Sequence, residues 1–184
     1  MNSNLSSEPP DPLLVCTIGH SNRTLAEFLD LLNHNEIKHV LDVRTVPHSL
    51  HNPQFGQELL KDSLQAAGID YTHLPTLGGL RKTHADSPNG AWRNASFRGY
   101  ADYMQTPNFA QGVQHVIELA KTARCALMCA EAVPWRCHRS LIGDALVVRG
   151  VNVEDIIGPR GRSMHKLTPW SHVEGTQITY PPSP

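Results

Sequence analysis

The sequence predicts one α/β domain of three layers, a mostly parallel sheet of about five strands flanked by helices. Two observations predict it. Apolar runs of strand length over residues 13–18, 39–44, 69–74, 125–130 and 151–157 alternate with segments whose apolar side chains recur at helical spacing. At 184 residues the chain is also long enough for one sizeable core and too short for two.

The elements follow in order. Residues 1–12, rich in Ser, Asn and Pro, read as a disordered tail, and the domain is expected over 13–158. The first strand, 13–18, ends in Gly19, His20, Ser21, Asn22 and Arg23. Thr24 with Glu27 three residues on is a capping box, and Leu25, Phe28, Leu29 and Leu32 form the apolar face of the helix it opens. The second strand, 39–44, carries Asp42 and Arg44, charges that a parallel interior rejects, so they belong at its open end. A helix around 58–67 closes at Gly68, and a weaker strand over 69–74 runs into Gly78, Gly79 and Arg81. From 81 to 103 the chain turns polar and glycine-containing, with rings and guanidiniums interleaved. Thr106 and Pro107 open a further helix, with Phe109, Val113, Val116, Ile117 and Ala120 inward. The strand at 125–130 leads through a loop rich in reactive side chains to a helix with Leu141, Ile142, Ala145 and Leu146 inward. After the strand at 151–157, residues 159–184 are polar and rich in Pro and Gly, which predicts a loosely attached tail.

The useful outcome is geometric. Ligands bind at the carboxyl ends of strands in open α/β sheets. Parallel strands therefore bring Gly19-His20-Ser21, Asp42 with Arg44, Gly78-Gly79 with Arg81, and residues 131–139 to one rim.

Composition narrows the partners. Hydrophobic content of 40% and charged content of 18% are those of a soluble globular protein, and a net charge of −1 argues against a surface built mainly for polyanions. Arginine outnumbers lysine eleven to five, which suits bidentate recognition of phosphate or carboxylate. The first residues lack a basic and apolar leader and no run reaches membrane-spanning length, so a cytoplasmic location without membrane association is expected. In that setting the four cysteines read as reduced thiols.

Four motifs carry a family resemblance. They are Thr17-Ile18-Gly19-His20-Ser21; Leu41-Asp42-Val43-Arg44 with Pro47 and Ser49; Leu77-Gly78-Gly79 with Arg81; and Cys129-Ala130-Glu131 followed by Pro134 and Cys137-His138-Arg139. Together they resemble the domain-of-unknown-function 488 family over about residues 13–158. The resemblance implies a compact three-layer α/β domain and no assigned activity, although DNA base repair has been suggested within the family. Where the family's last strand often carries a histidine, this chain has Glu154-Asp155-Ile156.

Three functions fit these residues. The leading expectation is an enzyme acting on a phosphate-bearing nucleic acid or nucleotide. Asp42 and Glu131 would be its catalytic carboxylates, assisting hydrolysis of an N-glycosidic bond. Gly19, His20, Ser21, Arg44, Ser49, Gly78, Gly79, Arg81, Cys137, His138 and Arg139 would hold the ligand, and Trp92, Phe97, Tyr100 or Trp135 would stack on a flipped base. Against this, Asp42 and Arg44 could simply pair with each other, Glu131 could cap a helix, and the rings could line one. The second function is a cysteine-dependent phosphatase or sulfurtransferase using Cys129 or Cys137, since a strand, a cysteine loop, an arginine and a helix stabilise thiolate and anion alike. The loop from Cys129 to Arg136 is longer than those signatures. The third is a binding module for an anion or a partner, without catalysis. No cofactor is expected, and Cys129, Cys137, His138 and His20 lack the short paired spacing of common zinc sites.

Overall fold

A computed structural model describes residues 11–184; the expected tail over 1–12 lies, apart from its last two residues, outside the described residues. The strands that form the site's floor are β1 (Leu14–Gly19), β2 (His39–Asp42), β3 (Asp70–His73), β4 (Cys125–Cys129), β5 (Asn152–Gly158) and β6 (Gly161–Met164). They make one sheet in the order β3-β2-β4-β1-β5-β6, parallel except for β6 against β5. β4 and β1 occupy the middle, so their carboxyl ends sit side by side, and the connections that leave them pass over opposite faces of the sheet, from β1 across β4 to β2 and from β4 across β1 to β5. That arrangement opens a crevice above the sheet.

Alternation along the central strands divides the core between two faces. Cys16, Ile18, Ala126 and Met128 meet α1 (Leu25–His34) and α2 (Gln57–Ala66). Val15, Cys125, Leu127 and Cys129 face α3 (Ala95–Tyr103), α4 (Pro107–Ala120) and α5 (Arg139–Val147). The capping box is present: the Glu27 amide donates to Thr24 Oγ1 at 3.2 Å, and the Thr24 amide donates to Glu27 Oε2 at 2.7 Å. α1 buries Phe28, Leu31 and Leu32. Gly68 adopts a φ of +73°, the left-handed turn expected just past α2. Among the described residues no helix is long and apolar enough to cross a membrane.

Two segments depart from expectation. α3 lies in the polar stretch, started by Asn94, whose side chain accepts from the amides of Ser96 and Phe97. It buries Tyr100 and Ala101, and Gly99 packs where a Cβ would come within 2.2 Å of the Arg81 carbonyl oxygen. The expectation of a loose tail over 159–184 gives way to an attached one. After β6, the hairpin of β7 (His172–Glu174) and β8 (Gln177–Thr179) carries Ile178 and Tyr180 into the core beside α5, exposed by only 2% and 0%. The Tyr180 hydroxyl donates to Asp144 at 2.8 Å, and His165 lies between Asp144 at 2.9 Å and Asp155 at 3.4 Å. Burial opposes charge on His165, yet the two carboxylates outweigh it and raise its pKa to about 9.

Candidate functional site

The loops after β1 and β4 cross in contact. The amides of His20 and Ser21 donate to the carbonyls of Cys129 and Ala130 at 3.0 and 2.8 Å. Gly19 makes the crossing possible, since a Cβ there would sit 1.7 Å from the Glu131 carbonyl oxygen. Above the crossing opens a cavity of about 820 Å³, walled by all four of the segments read from the sequence. His20 and Ser21 come from the first, Arg44 from the second, Gly79 and Leu80 from the third, and Cys129, Glu131, Cys137 and His138 from the fourth. Ser49, Phe97 and Tyr100 also face it.

Other expected residues lie elsewhere. Asp42 is fully buried beneath the cavity and is not part of its wall. Its Oδ1 accepts from Arg44 Nε at 2.9 Å, its Oδ2 from Arg44 Nη2 at 2.6 Å and from the Tyr71 hydroxyl at 2.7 Å. Arg44 completes its own bonding by donating to the Phe55 carbonyl at 2.8 Å, so pair and partners satisfy one another. Gly78 lies outside the wall, where a Cβ would meet Thr45, while Gly79 lines the cavity and packs so closely that a Cβ would press on His138 Nδ1 at 3.2 Å. The left-handed backbone of that turn belongs to Leu80, at φ +60°. Arg81 lies outside the wall, its guanidinium 3.7 Å over the Tyr103 ring. Trp92 stacks on Phe97 at 4.9 Å and meets Trp170 and Tyr180 edge-on, which makes it part of the core edge beside α3. Trp135 points outward, 63% exposed.

Arg139 is a buried cation behind the wall, 1% exposed. Its Nη2 donates to the Glu131 carbonyl at 2.6 Å, while Nε and Nη1 have no partner. Burial lowers its pKa to about 10, so it remains charged at neutral pH. On the cavity wall itself, neither the exposed Arg136 nor the exposed Glu131 forms an ion pair among the described residues, although the Glu131 charge acts on the buried Arg139.

At the cavity floor the sulfurs of Cys129 and Cys137 meet, a pairing that the reading of four reduced thiols did not include. Their Cα atoms stand 7.8 Å apart, beyond the 4.4–6.8 Å typical of bridged cysteines, so a bond between them draws the two backbone segments together. Cys16 and Cys125 are free and buried, with burial raising both thiol pKa values. Cys137 Sγ lies 3.6 Å from His138 Nδ1, and the Arg139 amide at the start of α5 points to the same sulfur at 3.5 Å. His138 Nε2 is 2.9 Å from the Val43 carbonyl. A carbonyl only accepts, so Nε2 carries the proton and Nδ1 presents its lone pair to the thiol. Burial holds His138 down at about pKa 4, and does the same to His20, leaving both imidazoles neutral at pH 7. His20 donates from Nδ1 to the Ser21 carbonyl at 2.8 Å and stacks on Phe55 at 4.3 Å.

The sequence reading missed the Val43 carbonyl, which no side-chain pattern marks. It also left His48 and His51 as plain loop residues, although both face the cavity. Their position in the polar loop after the second strand was the available signal. Among the described residues no group of three or more His, Cys, Asp or Glu side chains is placed to hold a metal ion.

Comparison with known proteins gives one match: the family model described as a domain of unknown function, DUF488, matches residues 24–146. No curated protein and no solved structure matches the chain.

Proposed function

The chain belongs to the DUF488 family, whose model assigns no activity, and from the cavity we propose a thiol-dependent enzyme that exchanges disulfides through Cys137 and Cys129. The observation that carries the reading is the contact of Cys137 Sγ with both the Cys129 sulfur and the oriented His138 imidazole. Nucleophile, base and an orienting third group are the parts of an activated nucleophile.

The chain's own residues then act in order. His138 Nδ1 takes up the Cys137 proton only transiently, in concert with attack, since burial keeps its pKa at about 4, while the Arg139 amide, the first turn of α5 and the guanidiniums of Arg136 and Arg139 favour the thiolate. The thiolate attacks one sulfur of a substrate disulfide, forming a mixed disulfide and releasing the first substrate thiolate, which takes the proton from His138. Cys129 attacks Cys137 Sγ and yields its proton to the departing substrate sulfur; the mixed disulfide breaks, the Cys129–Cys137 bond forms and the second substrate thiol leaves. An external dithiol, oxidised in turn, restores the pair. A cytoplasmic location, where thiols are kept reduced, suits such a cycle.

The test is reaction of the reduced protein with an aromatic disulfide at neutral pH, followed by intact mass. Wild type should release two thiols per protein and end with an internal bridge, Cys129→Ser should stop at the mixed disulfide, and Cys137→Ser should not react at the cavity. Equal reaction of Cys137→Ser and wild type would overturn the reading.

A second reading has one observation in its favour. The Glu131 side chain stands on the wall without a cationic partner, near Phe97 and Tyr100, where a carboxylate could assist departure of a base from a phosphate-bearing N-glycoside gripped by Arg136. Loss of nucleoside hydrolysis in Glu131→Gln, with thiol reactivity intact, would select it.

A further inference from the structure

Among the described residues eight large apolar side chains are exposed; two of them line this one opening, and two more stand outside its wall on the loops that form it. Val46 and Leu80 are 65% and 84% exposed and line the cavity mouth itself. Leu50, 83% exposed, stands in the loop whose neighbours His48, Ser49 and His51 line it, and Trp135, 63% exposed, stands between Val133 and Arg136, which also do. Exposure of single apolar residues is ordinary, whereas convergence of four from three separate loops on one mouth marks an interaction surface. Leu80 strengthens the point. A bulky residue held at φ +60° is an outlier that the fold maintains while presenting the side chain to solvent.

We infer that this mouth receives an extended polypeptide segment whose apolar side chains flank a cystine, delivering that disulfide to Cys137; the inference rests on the thiol-exchange reading above. Two observations choose the occupant. Cys129 and Cys137 lie at the floor, exposed by only 3% and 5%, so a disulfide must be fed into the cavity rather than presented across a flat surface. The mouth carries little net charge: Arg44 is neutralised by Asp42 and Glu131 offsets Arg136, which leaves the buried Arg139 behind the wall as the one uncompensated cation among these groups. A polyanion needs several cations there, and a small charged disulfide has no use for an apolar ring outside the cavity. Side chains on alternate positions of an extended segment would meet the ring on either side of the cystine.

The experiment compares two substrates: a pair of Leu- and Val-rich peptides joined by one disulfide, and an aromatic small-molecule disulfide. Variants are Leu50→Glu and Trp135→Glu, singly and together, outside the thiol machinery. The double variant should lose about tenfold or more in kcat/KM for the peptide disulfide while small-disulfide turnover stays unchanged. Equal activity of wild type and double variant toward the peptide would overturn the docking inference alone. Absence of reaction at Cys137 with both disulfides would bring down the thiol reading, and the inference with it. Salt-sensitive binding of a single-stranded oligonucleotide that displaces a serine-substituted peptide would transfer the surface to nucleic acid. Self-association abolished by the same substitutions would assign it to a second copy of the chain. Either result would overturn the polypeptide assignment.

Discussion

Arg44, on the cavity wall, clasps the buried Asp42 carboxylate beneath it through two nitrogens, at 2.9 and 2.6 Å. The pair fixes the end of β2, from which Val43 offers its carbonyl to His138. Asp42→Asn leaves a buried guanidinium uncompensated and should cost about 3–5 kcal/mol, read by denaturant unfolding. The reverse result, a stable Asp42→Asn protein with slowed chemistry, would return Asp42 to the reaction.

His138→Ala removes the base beside Cys137 and should slow the reaction of the reduced protein with an aromatic disulfide by about 100-fold. His138→Asn serves as the check on packing, because it retains polarity without a basic nitrogen. Unaltered rates in both variants would leave the Cys137 environment without a role for the imidazole.

Acidification should weaken the fold through His20 and His138. Burial lowers both from 6.5 to about 4, so between those limits the unfolded chain binds protons that the folded one refuses. Stability therefore rises with pH across that window and is lost on descending it, by up to about 3 kcal/mol for each imidazole. Unfolding free energies measured from pH 7 down to pH 4 check this, and the loss should halve when either histidine is replaced by a neutral residue that folds.

The opposite slope belongs to His165, raised from 6.5 to about 9 by Asp144 and Asp155 against the effect of burial. Here the folded state holds the extra proton, so the contribution is full below pH 6.5 and declines as pH climbs through 9. In His165→Gln the alkaline decline over that range should flatten, as seen by thermal unfolding at a series of pH values.

Gly19→Ala should disable folding, because its new methyl would lie 1.7 Å from a backbone oxygen in the neighbouring loop. Gly158→Ala is the control: nothing lies within 4 Å of its Cβ position, so its effect should stay within about 1 kcal/mol. Similar stability of the two variants, by urea titration, would contradict the close crossing of the loops.

Much of this was legible in the chain because local signals agreed with the global fold. Alternating apolar runs gave a parallel sheet, Thr24 with Glu27 marked the start of α1, and the order of strands and turns placed four reactive segments around one mouth. Partnership inside the site was not legible. Whether Arg44 grips a ligand or its near neighbour Asp42 depends on burial and angle, which spacing does not encode. The meeting of Cys129 with Cys137 depends likewise on the path of the intervening loop. α3 escaped notice because Gly99 weakens the helical signal, and only its packing on the Arg81 backbone explains that glycine. The last strands escaped for a related reason: β7 is exposed along its length, and Tyr180 becomes a core residue only once Asp144 is in place.

The anchorage of Tyr180 on α5 bears on biosynthesis. The helix that begins with Arg139 and supports Cys137 and His138 obtains one of its covering surfaces from residues translated more than thirty positions later, the Tyr180–Asp144 bond alone spanning 36. While that stretch is still inside the ribosome, the nascent polypeptide carries α5 half-dressed, and the final packing around Cys137 and His138 must await release of the hairpin that covers the helix.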